Sequence, residues 1–254
     1  MFQEQFGNLD RPLDHVLLTH SHYDHVGGLG VLRFLRPNCS VLGSAIAQET
    51  LAKEKVQQFI VNMNREEERI YQIQDRHLPL DPASLRVDVA LADGQTLDLG
   101  AGVSVEARHA PGHTRCSMVY LVQPDAVLIG AESLGGYVSP DDIQPQAMSS
   151  FAAYIGSLER LSALPFQTLC LPHHGVLTGE DARRFIPTAI RCALDFRAQV
   201  LDLHHHGHQV EGLTRLLTER QRHGISALQP EKAFDINLRS IVQVILKEEN
   251  FLPH

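Results

Sequence analysis

The first third of the chain alternates short apolar runs with longer amphipathic segments. Residues 14–19 form an apolar run of the length of a buried strand, and leucines recur at helical spacing from 29 to 35, up to Pro37. Apolar residues then recur at roughly helical spacing from 44 to about 76, with a polar stretch at 62–69. This pattern predicts a short helix and then two more, broken in the polar stretch, that cover a sheet or alternatively form a lid or a dimer surface.

From residue 86 the apolar positions alternate with a period of two, and beyond about 149 the pattern is mostly helical. The predicted elements are a β meander (87–91, 96–99, 103–107), strands 117–122 and 126–129, a helix 149–164, a last strand 168–171 and helices near 180–203, 210–222 and 236–248. Such a mixture predicts an α/β fold. We expect residues 1–179 to form one domain with a helical insertion at about 44–76. Residues 180–254 are expected to form a helical region packed on it or on a neighbouring subunit.

Composition narrows the class of protein. The chain has 254 residues, of which 43% are hydrophobic, and 22 basic against 30 acidic residues give a net charge of −8 with histidine neutral. This acidic balance makes nucleic acid an unexpected partner. Four scattered cysteines fit reduced thiols. Without a signal-peptide pattern or an apolar run of about 20 residues, we expect a cytoplasmic protein without membrane contact.

One six-residue loop carries an unusual density of metal-ligand side chains. The predicted strand at 14–19 leads directly into His20, His22, Asp24 and His25, and two glycines follow closely. Imidazole nitrogens and carboxylate oxygens suit zinc and similar divalent ions. Left without a cation, such a cluster is unfavourable beside a core. The spacing therefore predicts a metal site that can reach two ions.

Later strand ends supply further ligands. His113 follows the predicted meander, Glu132 follows strand 126–129, and His174 follows strand 168–171, with His173 as an alternative to His174. Two ions about 3.5–4 Å apart can share such groups, and bound zinc lowers the pKa of its water to about 7. Hydrolysis is the expected chemistry. Zinc is the expected metal for both ions, although iron and manganese also accept these ligands.

These residues lie in four ordered motifs that resemble those of the metallo-β-lactamase superfamily, namely THSHYDHVGG at 19–28, PGHT at 111–114, GAESL at 130–134 and PHHG at 172–175. The resemblance implies a four-layer αββα sandwich with a metal site at one edge between two sheets. It also implies the ligand sets, which are His20, His22 and His113 for one ion and Asp24, His25 and His174 for the other. Glu132 would bridge both ions, and Asp24 would also orient the attacking water.

Two features depart from the family pattern. Members usually carry aspartate as the bridging acid, whereas this chain has Glu132, which is one methylene longer and would bridge with altered geometry or bind one ion only. Members also usually begin with several strands before the His-rich loop, and only 19 residues precede His20. We therefore expect an N-terminally shortened form of this fold with a C-terminal helical extension.

The leading hypothesis is a metallo-hydrolase of the glyoxalase II-like or lactonase-like kind, in which a metal-bound hydroxide attacks an ester, thioester or lactone. The alternatives are a phosphodiesterase or nuclease of the same superfamily and a non-catalytic binding or oligomeric scaffold with an impaired site. A small-molecule substrate is the expected partner, and a homo-oligomer is compatible with the sequence. The histidine tract at 204–208 is expected to form a helix end rather than a second metal site.

Overall fold

The computed structural model describes residues 12–70, 72, 81–173 and 175–252. The chain forms two compact units, residues 1–92 and 93–254. Each unit has its own sheet and its own set of buried apolar side chains. The helices after residue 179 lie in the same unit as the strands before them, and the predicted domain boundary at 179 stays a prediction.

The first unit is built on a parallel sheet of three strands in the order β1-β2-β3. Parallel neighbours require crossover connections, and these connections carry the helices of the unit. Its elements are β1 (His15–Leu17), α1 (Tyr23–Val26), α2 (Leu29–Leu35), β2 (Ser40–Ser44), α3 (Ala45–Leu51), α4 (Glu54–Ile70), a 3₁₀ turn (Pro82–Ser84) and β3 (Val89–Leu91). The short helix predicted before Pro37 is confirmed as α2.

The break in the longer helical segment lies at residues 52–53, between α3 and α4. The break predicted at 62–69 is wrong, because α4 continues through this polar stretch. The polar side chains there are exposed or half-buried, whereas Ile60 and Val61 are buried, so the helix continues through the stretch with its half-buried positions on the packed side and its exposed positions toward solvent. The predicted end near residue 76 lies outside the described residues.

The second unit contains a sheet of six strands in the order β11-β10-β7-β6-β5-β4 and a separate hairpin, β8-β9. The β7-β10 pair is parallel, and the other neighbours in the large sheet are antiparallel. The strands are β4 (Thr96–Gly100), β5 (Val103–His109), β6 (Met118–Gln123), β7 (Val127–Ile129), β8 (Gly136–Ser139), β9 (Asp142–Gln144), β10 (Thr168–Leu171) and β11 (Gly175–Thr178).

The predicted meander is only partly correct. Strands β4 and β5 form an antiparallel pair as expected, but β3 pairs in parallel with β2 of the first unit. Alternation identifies a half-buried strand without identifying its partner, which is why the error arose. The strand at 168–171 is also not the last one, since β11 follows it, and the β8-β9 hairpin was not expected.

The helices of the second unit match the sequence prediction closely. They are α5 (Phe151–Ser162), α6 (Gly179–His205), α7 (Val210–Gln221), a 3₁₀ turn (Gly224–Leu228) and α8 (Glu231–Glu248). Side chains from α5, α6, α7 and α8 share one buried apolar cluster with the large sheet. No helix in the described parts of the chain combines the length and apolar character needed to cross a bilayer.

The last helix caps an earlier one. Glu248 Oε1 accepts hydrogen bonds from Ser150 Oγ (2.8 Å) and Phe151 N (2.9 Å), and Oε2 accepts one from Ala152 N (3.0 Å). The first backbone N–H groups of α5 have no partner within the helix, and a carboxylate there also interacts favourably with the helix dipole. Glu248 therefore ties the carboxyl end of α8 to the start of α5.

The histidine tract forms a helix end, as predicted. Helix α6 ends at His205, and His206 Nδ1 donates to the Asp202 carbonyl at 2.8 Å. The rings of His204 and His205 pack against Phe251, with centroids 4.8 and 5.6 Å apart. These contacts account for the positions of His204, His205 and His206 at the end of the helix.

Candidate metal centre

The His-rich loop begins where β1 ends. Because β1 is fixed to its parallel neighbour β2, His20 leaves the sheet at the carboxyl edge of these strands. His20 is only 1% exposed, and the Thr19 hydroxyl lies 3.2 Å from its Nδ1 atom. His22 has an extended backbone and starts α1, with its carbonyl accepting a hydrogen bond from His25 N at 3.1 Å. The single turn of α1 thus folds Asp24 and His25 back toward His20 and His22.

The loop brings together all four predicted ligands of the first unit. The His20 ring centroid lies 4.6 Å from that of His22 and 4.1 Å from that of His25. One ring nitrogen of His20 lies within 4.8 Å of a ring nitrogen of His22, and one lies within 4.8 Å of a ring nitrogen of His25. Asp24 Oδ2 lies 3.5 Å from His25 Nε2, and the Asp24 side chain is 42% exposed. Three imidazoles and one open carboxylate in this arrangement fit a divalent cation of the zinc type.

Helix α4 supports this loop from outside the motif. Asn64 Nδ2 donates to the carbonyl oxygens of Tyr23 (3.2 Å) and Ile60 (2.9 Å), and the Tyr23 hydroxyl donates to Glu67 Oε1 at 3.2 Å. A Cβ atom at Gly27 would lie 2.2–2.6 Å from the end of the Asn64 side chain. Gly27 has a helical backbone with φ −57°, which any residue can adopt. Glycine at this position therefore provides space for the Asn64 side chain and is not required by the backbone conformation.

In the second unit, His113 lies in the turn between β5 and β6. It is 4% exposed, and its Nδ1 atom lies 2.9 Å from the Gln146 carbonyl oxygen. A carbonyl oxygen only accepts hydrogen bonds, so Nδ1 must carry the ring proton. Nε2 then keeps the lone pair that a cation needs, and the carbonyl fixes the orientation of the ring.

The backbone around His113 is held by Ser157, in the middle of α5, and by Ser149, just before this helix. Ser157 Oγ donates to the Pro111 carbonyl at 2.7 Å, and both the hydroxyl and the backbone N–H of Ser149 donate to the Gly112 carbonyl at 2.9 Å. Gly112 has φ +135°, and a Cβ atom there would lie 2.3 Å from Tyr154 Cα. Only glycine allows this turn to lie directly on the helix.

Glu132 lies in a 3₁₀ turn after β7, and its side chain is 13% exposed. Its Oε1 atom lies 2.9 Å from Nε2 of His173, which the sequence offers as the alternative to His174. The preferred ligand, His174, lies outside the described residues, so its assignment stays a prediction. His173 itself has φ +63°, a backbone conformation that is uncommon for a residue with a side chain.

Cys170 lies beside this turn but does not add a ligand of thiolate character. Its carbonyl accepts a hydrogen bond from Gly130 N at 2.8 Å, which fixes the end of β7. Burial raises the pKa of the Cys170 thiol, so the thiol remains protonated at neutral pH. Among the described residues, the groups of side chains that could hold a cation consist of histidines and carboxylates, and Cys170 is in none of them.

Comparison with known proteins identifies the family. A family model described as the metallo-beta-lactamase superfamily matches residues 3–173. The chain belongs to the metallo-β-lactamase superfamily. Members of this superfamily are mostly hydrolases and bind divalent metals. The family predicted from the four motifs is thereby confirmed.

Two of the proteins to which the chain is similar carry the names of hydrolases. The chain is 25% identical over 212 residues to the atrochrysone carboxyl ACP thioesterase of Aspergillus fumigatus, covering 84% of this chain and 38% of that protein. It is 31% identical over 157 residues to a hydroxyacylglutathione hydrolase of Methylococcus capsulatus, covering 61% of this chain and 46% of that protein. The chain thus spans less than half the length of either relative.

Solved metallo-β-lactamase superfamily structures share the fold. An archaeal member from Sulfolobus tokodaii superposes with a TM-score of 0.62 at 22% identity, covering 94% of this chain and 83% of that one. A member from Thermus thermophilus superposes with a TM-score of 0.64 at 18% identity, covering 98% and 80%. The predicted fold class, a metallo-β-lactamase-type α/β fold with C-terminal helices, is confirmed.

Sequence reasoning missed the residues that support the ligands. The Gln146 carbonyl leaves no trace in residue type, because every residue has a carbonyl. Asn64 did leave a signal, since it lies four residues after buried Ile60 and therefore on the packed side of α4. A polar residue at such a position forms hydrogen bonds more often than not.

Proposed function

We propose that this chain is a dinuclear metal-dependent hydrolase that acts on thioesters and related carboxylic esters and lactones. The observation that carries the proposal is the convergence of His20, His22, Asp24 and His25 within one loop of a metallo-β-lactamase superfamily member. The thioesterase and hydroxyacylglutathione hydrolase relatives support a thioester as the first substrate class to test. A phosphodiester remains the alternative substrate.

The ligands are assigned by motif position. His20, His22 and His113 would hold one divalent ion, and Asp24, His25 and His174 the other. Glu132 would bridge the two ions, and zinc is the first metal to test. When bound, such ions would polarise a carbonyl and lower the pKa of a coordinated water to about 7.

The chain's own groups have distinct tasks in this proposal. The Asp24 carboxylate is the most open group of the loop, so it can orient a water molecule and accept its proton. The Gln146 carbonyl keeps the His113 proton on Nδ1 and leaves Nε2 as the ligand atom. Burial removes the His20 ring and the His113 ring each from bulk water, which strengthens the electrostatic interactions of each ring.

The test combines metal analysis with a substrate panel. Purified protein, before and after treatment with a chelator, is assayed on thioesters, lactones, β-lactams and phosphodiesters. We expect thioester hydrolysis that chelation lowers by at least about 100-fold, the equivalent of a few kcal/mol of barrier, and that added zinc restores. Hydrolysis that is equally fast with and without the chelator would refute the proposal.

Two pairs of variants show where the metal binds. His22→Ala and His113→Ala remove proposed ligands, and His205→Ala and His206→Ala remove histidines of the tract at the end of α6. We expect the first pair to lose bound metal and hydrolysis together and the second pair to keep both. Metal that disappears only with the tract histidines would show adventitious binding there and would contradict the assignment.

A further inference from the structure

Glu132 and His173 occupy equivalent positions after two neighbouring strands. Strands β7 and β10 pair in parallel with Ile129 opposite Cys170, and each of the two residues lies three positions beyond this pair. Gly130 N donates a hydrogen bond to the Cys170 carbonyl at 2.8 Å, so the carboxyl ends of both strands are tied together. The side chains that follow therefore meet at one edge of the sheet, where Glu132 Oε1 lies 2.9 Å from His173 Nε2.

The backbone of Glu132 is fixed, whereas its side chain has more freedom than that of an aspartate. Glu132 begins a 3₁₀ turn in which Gly135 N donates to its carbonyl at 3.0 Å and Leu134 is fully buried. Glutamate has one more rotatable bond than aspartate, and ordering that bond costs conformational entropy. The backbone alone therefore places the carboxylate of a glutamate less precisely than that of an aspartate.

The turn conformation does not account for an imidazole at position 173. His173 lies in the turn that joins β10 to β11 and has φ +63°. Glycine and asparagine adopt this conformation at a lower cost, and a hairpin turn needs no ring there. The side chain of His173 is 56% exposed, so core packing does not explain it either. The ring does contact the carboxylate of Glu132, whose side chain is only 13% exposed.

We infer that His173 is a positioning residue for the metal centre, whose Nε2–H group fixes the Glu132 carboxylate through its Oε1 atom. The inference rests on the proposed function, in which Glu132 is a metal ligand. A carboxylate only accepts hydrogen bonds, so the contact requires a proton on His173 Nε2. Carboxylates that bind metals are themselves hydrogen-bonded by outer groups, and losing such a group typically lowers metal affinity by about 10- to 100-fold. His173 thereby compensates for the additional methylene of Glu132.

The test compares two replacements of His173 that differ in the hydrogen-bond donor. His173→Gln supplies an amide N–H at about the reach of Nε2, and His173→Leu removes every side-chain donor. Both replacements keep a Cβ atom at the positive φ angle, so they carry a similar backbone cost. His223→Leu is the matched control. His223 forms the same kind of contact elsewhere in this unit, with Nε2 3.2 Å from Asp142 Oδ2 and a side chain that is 54% exposed.

Zinc affinity is measured by calorimetry against a competing chelator. We expect His173→Leu to weaken zinc binding about tenfold, His173→Gln to restore most of this loss, and His223→Leu to have no effect. An affinity of His173→Leu equal to that of the wild type overturns the inference. An equal loss in both replacements of His173 also overturns it, because the imidazole itself would then be required, as it is for a ligand.

A third replacement separates positioning from a contribution to folding. His173→Gly removes the ring and also relieves the backbone at φ +63°. It should therefore unfold at a higher urea midpoint than His173→Leu while binding zinc equally weakly. Zinc affinity that rises with the unfolding midpoint from His173→Leu to His173→Gly would show a merely structural role and would overturn the inference.

A measurement on metal-free protein tests the contact itself. The nitrogen-15 NMR signal of His173 Nε2 should shift when Glu132→Leu removes the acceptor, and an unchanged signal overturns the inference. Wild-type protein that binds no zinc would instead refute the proposed function and, with it, the positioning of Glu132 for a cation. The two failures are distinguishable, because the NMR signal depends on neither metal nor substrate.

Discussion

The adjacent glycines after the His-rich loop should respond very differently to the same substitution. Gly27 and Gly28 both have helical backbone angles, with φ −57° and −73°, so alanine is acceptable to the backbone at either position. A Cβ atom at Gly28 meets nothing within 4 Å, whereas at Gly27 it would lie 2.2–2.6 Å from three atoms of Asn64. Comparing Gly27→Ala with Gly28→Ala therefore isolates one steric contact.

The magnitude follows from what Asn64 must give up. Its side chain can rotate away from a Cβ atom at position 27, but it then loses its hydrogen bonds to the Tyr23 and Ile60 carbonyls. Two neutral hydrogen bonds contribute about 1–3 kcal/mol together. We expect Gly27→Ala to lower the free energy of unfolding by about that amount. Gly28→Ala should raise it by about 0.4–1 kcal/mol by restricting the unfolded chain.

A double-mutant cycle measured by urea denaturation checks this reasoning. Asn64→Ala alone removes the same hydrogen bonds, so Gly27→Ala should add little in its presence, with a coupling of about 1–2 kcal/mol. Metal affinity should fall with Gly27→Ala as well, because the Tyr23 carbonyl belongs to the ligand loop. Equal stability of the two alanine variants, or strict additivity in the cycle, would refute the steric explanation.

Two further predictions concern contacts away from the ligands. Glu248→Gln should lower the free energy of unfolding by about 1 kcal/mol, because it removes a charged cap from the start of α5. Thermal and urea unfolding curves that match those of the wild type would contradict this prediction. The pKa of Asp88 is lowered although burial alone would raise it, because the Val41 backbone N–H and the Arg33 guanidinium hydrogen-bond the carboxylate. Because the native pKa lies below the unfolded value of about 3.9, the ionised carboxylate stabilises the folded state at pH values above about 3.9. This stabilisation is lost as the pH falls through the native pKa. Asp88→Asn should thus be less stable than the wild type by about 1–2 kcal/mol at pH 7. In urea titrations, this difference in the free energy of unfolding should shrink below about pH 4. A difference that does not depend on pH would count against the ion pair.

The chain's local patterns were sufficient for the individual elements and for the family. Helical periodicity located α2, α5 and the three helices after residue 179, because an amphipathic face repeats within the segment itself. The His20 to His25 loop was recognisable for the same reason, since four ligand-type groups lie in six consecutive residues. The ligands of the second unit each depended on a short motif, and His174 stays a prediction.

What only the tertiary structure decided is the partner of each element and of each ligand. The alternation at 87–91 could not tell whether β3 pairs with β4 or, as it does, with β2, because strand partners are chosen across long stretches of chain. The position of the ring proton on His113 is fixed by the Gln146 carbonyl, a group that every residue carries. The role of Gly27 depends on the side chain of Asn64, which lies 37 positions further along the chain. Sequence determines which groups are available locally, and folding determines which of them meet, because contacts between distant residues are set by packing rather than by residue type.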